Sequence, residues 1–342
     1  MMKRFAILAT IVAGGLAAAG LNAQGLPGIG ATEKVSDNVY KIFGAGGNTT
    51  FFIRSDGVVL VDTKLAKNGE AILAKVREVT DKPVTMIINT HSHPDHMGSN
   101  AEINTARGSV QIVAHANSAT RMAAMPGTPK VTQTFTDKLT LGKGGDQIDL
   151  YWFGPAHTDG DAFVVFPKEK VMAAGDVMAW NMGLLVDPMS GGSMLGTADT
   201  VAKAVAGIHG VDRVIEGHGD ANTWAGFLQY AAYTRKVVEV AKRAVAENID
   251  YVQAFNKYFA TDPAMAPYIS EALKPGLEYG GTPKSRSLNN LFIAMMELRG
   301  EKPPLIMGAP PLPGQPLPTG PGGGGPRPAG GGGAPADEHN HL

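Results

Sequence analysis

Thr90-His91-Ser92-His93-Pro94-Asp95-His96 places three histidines and an aspartate within the six residues from 91 to 96. Immediately upstream, Val84 to Ile88 reads as a buried strand, entered after the break at Lys82-Pro83. Four metal-capable side chains so close together cannot all share one face of a helix or one face of a strand. They fit a loop that wraps around an ion, and neutral imidazole and carboxylate are suitable zinc ligands. Pro94 stiffens that loop, and Gly98 just beyond it permits close backbone approach. A single histidine in a loop is usually surface decoration; three with an aspartate at the end of a buried strand are read as a metal site.

Outward from this loop the pattern alternates strand and helix. Val58 to Val61 is a buried strand ending at Asp62-Thr63, and residues 68–78 carry Ile72, Leu73 and Val76 at helical spacing. Asn100 could cap a short helix, and Gln111 to Ala114 is again strand-like. Further on, Gln147 to Phe153 alternates apolar and polar residues, and Ala162–Phe166 with Val171–Ala174 reads as a hairpin. Helical patterns occupy about 222–247, 250–259 and 286–298. They could roof an active site or pair with a second subunit. Strand-rich halves with helices outside them predict an α/β fold built as a layered sandwich with one catalytic domain.

The string His91 to His96, written H-x-H-x-D-H, resembles the signature of the metallo-β-lactamase-fold hydrolases, and the resemblance runs from about 30 to 220. An aspartate ending an earlier buried strand is matched by Asp62, and a histidine in a Gly/Pro-rich loop by His157 in Gly154-Pro155-Ala156-His157-Thr158. An aspartate closing a later strand is matched by Asp176, and a histidine in a G-H-G turn by His218. The resemblance implies a four-layer αβ/βα sandwich and two metal ions, zinc first, with iron or manganese as alternatives. His91, His93 and His157 would hold the first ion and Asp95, His96 and His218 the second, with Asp176 bridging them. Asp62 would brace a ligand imidazole or a loop amide, although a strand-end aspartate is an equally ordinary reading. His115 and His209 match no landmark and read as structural or surface residues.

Such a site activates water without a strong base, since bound zinc lowers the pKa of water to about 7. Asp95 could orient that water as well as bind metal, and no Ser-His-Asp arrangement is needed. The implied activity is hydrolysis of an ester, lactone, thioester or amide/β-lactam bond in a small-molecule substrate. The bridging aspartate points towards thioesterase- and lactonase-like members, with β-lactam hydrolysis weak or secondary. The chain contains no cysteine, which excludes members that place a thiolate on the second metal. His93 stands where diiron flavoprotein members carry Glu, which sets that branch aside. A mononuclear iron persulfide dioxygenase-like enzyme is the alternative, because its two His and one Asp could be a subset of these ligands; a metal store is a third reading.

Two further segments bear on the pocket. Val177, Met178, Trp180, Met182, Leu184, Leu185, Met189 and Met194 follow Asp176 and could form an apolar substrate wall or ordinary core. Gly44-Ala45-Gly46-Gly47-Asn48 could be a flap or a hairpin turn.

The termini set the context. Lys3-Arg4, the apolar stretch Phe5 to Ala19 and Leu21-Asn22-Ala23 have the three-part layout of a signal peptide cleaved near Ala23. A periplasmic or secreted protein with no stable membrane anchor after cleavage is expected, with the catalytic domain over 24–302. From Pro303 the sequence collapses into proline and glycine, and 303–342 reads as a disordered tail in which His339 and His341 are solvated. A formal net charge of −1 gives no basic surface for nucleic acid.

Overall fold

The structure is a computed structural model that describes residues 28–108, 110–272 and 281–316. The expected signal segment 1–23 lies outside the described residues, as does 317–342 with His339 and His341. β1 (Thr32–Lys34), β2 (Val39–Ile42), β3 (Thr49–Arg54), β4 (Gly57–Val61), β5 (Val84–Asn89), β6 (Gln111–His115) and β7 (Gln133–Phe135) follow one another across one sheet. Pairing is antiparallel as far as β4 and parallel from β4 to β7. A second sheet has β8 (Lys138–Leu141), β9 (Ile148–Tyr151), β10 (Phe163–Phe166), β11 (Val171–Gly175), β12 (Arg213–Glu216) and β13 (Ala221–Thr223). There only β11 and β12 run parallel.

The helices are α1 (Gly69–Arg77), α2 (Pro94–Met97), α3 (Asn100–Arg107), α4 (Ala116–Ala123), α5 (Met194–Gly207), α6 (Trp224–Glu247), α7 (Tyr251–Ala254) and α8 (Pro283–Leu298). The two-residue period of a strand explains how they layer. In β4, Val58 and Leu60 pack with Ile72, Leu73 and Ile103 of α1 and α3. Their neighbours Val59 and Val61 point the other way, into a core shared with Val164, Phe166 and Ala173 of the second sheet. On that sheet's far face, Phe163, Val165 and Met172 meet Val201, Phe227 and Leu291 of α5, α6 and α8. The result is the four-layer αβ/βα sandwich. Both sheets bury both faces, which is why the strands read as near-continuous apolar runs.

Two expectations change. Asn100 is the first residue of α3 rather than its cap; Ser99 precedes it, and the buried Asn100 side chain instead donates to Asn89 Oδ1 at 2.7 Å and accepts from Thr63 Oγ1 at 2.7 Å. Of the two readings of 44–48, the hairpin turn is the one found, since β2 and β3 pair antiparallel across it. The expected disordered boundary at 303 also moves. Residues 303–316 lie against the helical layer: Ile306 is 1% exposed, its carbonyl accepts from Asn289 Nδ2 at 2.9 Å, and the Pro311 carbonyl accepts from the Tyr251 hydroxyl. Composition misled here because one well-placed apolar side chain and two carbonyl acceptors suffice to seat a short stretch. Among the described residues, no helix is long and apolar enough to cross a membrane.

Ile306→Ala should therefore cost about 2–5 kcal/mol, as for other buried Ile truncations. Urea unfolding measures this, and a loss below about 0.5 kcal/mol, the level of a surface substitution, would mean the segment is not part of the folded domain.

Candidate metal centre

Each functional side chain leaves the sandwich at one edge, where parallel strands end. Asp62 follows β4, His91 lies two residues beyond β5, Asp176 follows β11 and His218 lies two residues beyond β12. His93 is the N-cap of α2, Asp95 and His96 lie within it, and His157 belongs to the loop between β9 and β10. Ligand sites outside the carboxyl ends of parallel strands are the rule in α/β sheets.

The arrangement is best followed through the imidazole nitrogens that face away from the site. Asp62, 2% exposed, accepts from the Thr90 amide at 2.8 Å and from the Thr90 hydroxyl at 2.6 Å. With that hydroxyl proton committed, Thr90 Oγ1 is left to accept from His91 Nδ1 at 3.0 Å. Asp62 Oδ2 also accepts from His96 Nδ1 at 2.8 Å. His157 Nδ1 donates to the Leu185 carbonyl, and His93 Nε2 to Asp187 Oδ2 at 2.9 Å. A carboxylate or carbonyl has no proton to give, so in His91, His93, His96 and His157 the outer nitrogen carries hydrogen and the inner one is the nitrogen available to a cation.

The inner atoms form two clusters. His91, His93 and His157 converge, with His157 Nε2 2.9 Å from His93 Nδ1. Asp95, His96 and His218 form the other, with His96 Nε2 3.2 Å from His218 Nε2 and Asp95 Oδ2 3.2 Å from His218 Nε2. Asp176 lies between them, 3.2 Å from His96, 3.4 Å from His218 and 3.8 Å from His157. His91 Nε2 is buried with no hydrogen-bond partner among the described residues. Acceptors packed this tightly require a positive charge among them, whether protons or a metal ion. All seven residues singled out from sequence are thus brought together, and the donor set fits nitrogen- and oxygen-bound divalent metal.

Charge is unevenly spread over the two clusters: burial would depress His93, but the Asp187 hydrogen bond and Asp95 outweigh it and raise its pKa. Burial, reinforced by the neighbouring histidines, pushes His91 well below its ordinary pKa, and burial lowers His157 to about 4. Burial would also depress His218, but Asp176 and Asp95 outweigh it and lift His218 to about 9. His96 is raised in the same way, its burial overcome by Asp176, Asp95 and Asp62.

Close backbone approach completes the site. The 44–48 turn is pinned, not mobile: Gly47 N donates to the Asp95 carbonyl at 2.9 Å, and Asn48 N to the Gly217 carbonyl at 2.7 Å. The buried Lys64 amine donates to the Ile42 carbonyl at 2.7 Å and the Gly47 carbonyl at 2.9 Å, and burial lowers its pKa to about 7. A Cβ on Gly47 would overlap the His96 ring, and one on Gly217 would overlap Asp176 Oδ1. Only glycine fits either position.

The apolar segment after Asp176 is mostly core: Val177, Met178, Leu184 and Met194 belong to the helix-facing cluster, and Met182 is buried. Trp180 is different. Its ring stacks on His218 at 4.1 Å between centroids, and with Phe43, Asn181, Asp220 and Asn222 it lines a cleft of about 420 Å³. His115 stacks on Trp152 and donates to the Thr136 carbonyl at 3.0 Å, a structural role, and His209 is exposed. Sequence reading passed over Asp187, Lys64 and Thr90. Their partners are distant in the chain or main-chain atoms, so no local spacing announces them.

Residues 43–228, more than half of the chain, match the model of the metallo-beta-lactamase superfamily. The chain is 27% identical over 161 residues to metallo-beta-lactamase type 2 of Elizabethkingia meningoseptica, covering 43% of this chain and 61% of that protein. It is 28% identical over 149 residues to 2,4-dinitroanisole O-demethylase subunit alpha of a Nocardioides species, covering 42% and 43%. Metallo-beta-lactamase type 2 of Bacteroides fragilis is 27% identical over 218 residues, covering 60% and 84%. The match thus spans under two thirds of the first two relatives. A metallo-beta-lactamase structure from Pontibacter korlensis shares the fold, with a TM-score of 0.52 and 18% identity over 61% of this chain and 99% of that one.

A pH dependence follows from the charges. In the metal-free protein at pH 7, His218 is protonated, since its pKa stands near 9. That raised value stabilises the fold below about pH 6.5 and the contribution is lost as pH rises through about 9. Metal must displace the proton, so binding at pH 7 should release protons, fewer as pH approaches 9. Calorimetric titration with zinc in buffers of different ionisation enthalpy reads this directly, and zero release at pH 7 would refute the assignment.

Proposed function

Because the chain belongs to the metallo-beta-lactamase superfamily, we propose that it is a metal-dependent hydrolase with two zinc ions. His91, His93 and His157 hold one, Asp95, His96 and His218 the other, and Asp176 bridges them. The observation that carries this reading is the convergence of the donors, with the outer nitrogens of His91, His93, His96 and His157 each committed to a carboxylate, hydroxyl or carbonyl. When bound, the ions would lower the pKa of a water towards neutrality and polarise the scissile carbonyl.

The protein's own part is positioning. Asp95 is partly exposed and stands 3.2 Å from His218, where it would both bind metal and orient the attacking water. The proposed substrates are small molecules with an ester, lactone, thioester or amide/β-lactam bond. The Trp180 and Phe43 walls favour those with an apolar or aromatic portion on the His218 side. One relative is named for O-demethylation of 2,4-dinitroanisole, which places an aryl methyl ether on the test panel. Export to the periplasm or beyond is proposed from the layout of residues 1–23.

Elemental analysis of the purified protein should give about two zinc ions per chain, falling towards one in Asp176→Ala, in keeping with the seven donors. One iron per chain, unchanged in that variant and accompanied by oxygen uptake on a persulfide, would overturn the hydrolase in favour of sulfur oxidation. On whichever panel substrate turns over, Trp180→Ala should raise KM several-fold with little change in kcat, and Trp180→Phe should restore it. An unchanged KM in Trp180→Ala would remove Trp180 from the substrate wall.

A further inference from the structure

We propose that Asp187 is the positioning residue of His93 and His157 in the three-histidine cluster, as Asp62 is of His96 and, through Thr90, of His91. The inference rests on the metal reading above but concerns a residue outside the seven donors. His93 enters the site from the turn before α2, and His157 from the loop between β9 and β10, 64 residues later. Asp187 touches both. Its Oδ2 accepts from His93 Nε2 at 2.9 Å, and its backbone N–H donates to the His157 carbonyl at 2.9 Å.

Asp187 is itself held. Its Oδ1 accepts from the Met189 amide at 2.9 Å, and its carbonyl accepts from the Gly192 amide at 2.8 Å. The resulting 187–192 turn wraps the His157 backbone so closely that a Cβ on Gly192 would overlap the His157 carbonyl. The turn is tied in turn to α4, where Arg121 pairs with Asp159 at 2.7 Å, and Asp159 N donates to the Ser190 carbonyl at 2.9 Å. Asp187 is buried, so its bond to His93 is sheltered from competing water.

Two consequences follow from a carboxylate in this position. It keeps hydrogen on His93 Nε2, so that Nδ1 is always the inward lone pair. It also makes the imidazole a stronger donor to a cation, as carboxylates behind metal-binding histidines do. A mere turn-capping role would need only the Met189 contact, which asparagine can also make.

The test is zinc affinity by chelator competition on the full chain, with two stepwise constants in the unsubstituted protein. Asp187→Ala should weaken one constant about 10- to 100-fold and leave the other within about twofold, and Asp187→Asn should weaken the same one less. In a His93→Ala background, adding Asp187→Ala should produce no further loss, because the residue acts through that imidazole. Both constants unchanged in Asp187→Ala, or an equal further loss without His93, would overturn the inference while leaving the dinuclear reading intact. Failure of the unsubstituted chain to bind zinc at all would overturn both. If Asp187→Ala does not fold, the near-isosteric Asp187→Asn carries the comparison.

Discussion

The site depends first on one buried carboxylate. Asp62 gathers three donors, the Thr90 amide, the Thr90 hydroxyl and His96 Nδ1. Through the Thr90 hydroxyl it also governs His91. A single negative charge at the end of β4 thereby sets the orientation of two imidazoles on a neighbouring segment. The position is not relaxed: Asp62 has φ +62°, in the left-handed region that few non-glycine residues adopt. Its backbone amide is held by the Ile88 carbonyl at 2.9 Å, so the adjoining parallel strand fixes the conformation. Strain of this kind persists where the surrounding structure over-determines it, and here it does.

The sandwich supplies what Asp62 requires. Parallel pairing of β4 with β5 brings the ends of both strands to one edge, and parallel pairing of β11 with β12 does the same on the second sheet. The two edges face each other because the strands' alternate side chains bury into a shared core. Asn48 then joins the sheets across the site, its side-chain amide donating to the carbonyls of Glu216 at 2.9 Å and Gly219 at 3.0 Å. The chemistry is therefore held between two rigid layers, and the loops that carry it have little freedom of their own.

How far the sequence foretold this follows from the range of the interactions involved. The candidate donors were legible because their chemistry is dense and local: His91 to His96 lie within six residues, His157 follows a Gly-Pro loop, and Asp176 and His218 lie just past strand ends with glycine beside them. The buried strands were legible because burial on both faces leaves continuous apolar runs. The braces were not. Asp187 follows Val186 and precedes Pro188, the pattern of any turn-starting aspartate, and its partner His93 lies 94 residues away. Lys64 looked like a surface lysine because its acceptors are carbonyls, which sequence does not distinguish. The stretch from 303 to 311 was hard to read because composition weighs the many prolines and glycines and overlooks the burial of Pro303, Ile306 and Pro310.

The donor set has a chemical consequence of its own. Every inward-facing atom is nitrogen or oxygen, and the chain contains no thiol. Peroxide, disulfide exchange and nitrosating agents inactivate metal centres by consuming a cysteine ligand, and none of them finds such a target here. The centre is therefore blind to the thiol redox poise of its surroundings. It would hold its ligands equally well in a reducing compartment and in one where exposed thiols are rapidly lost.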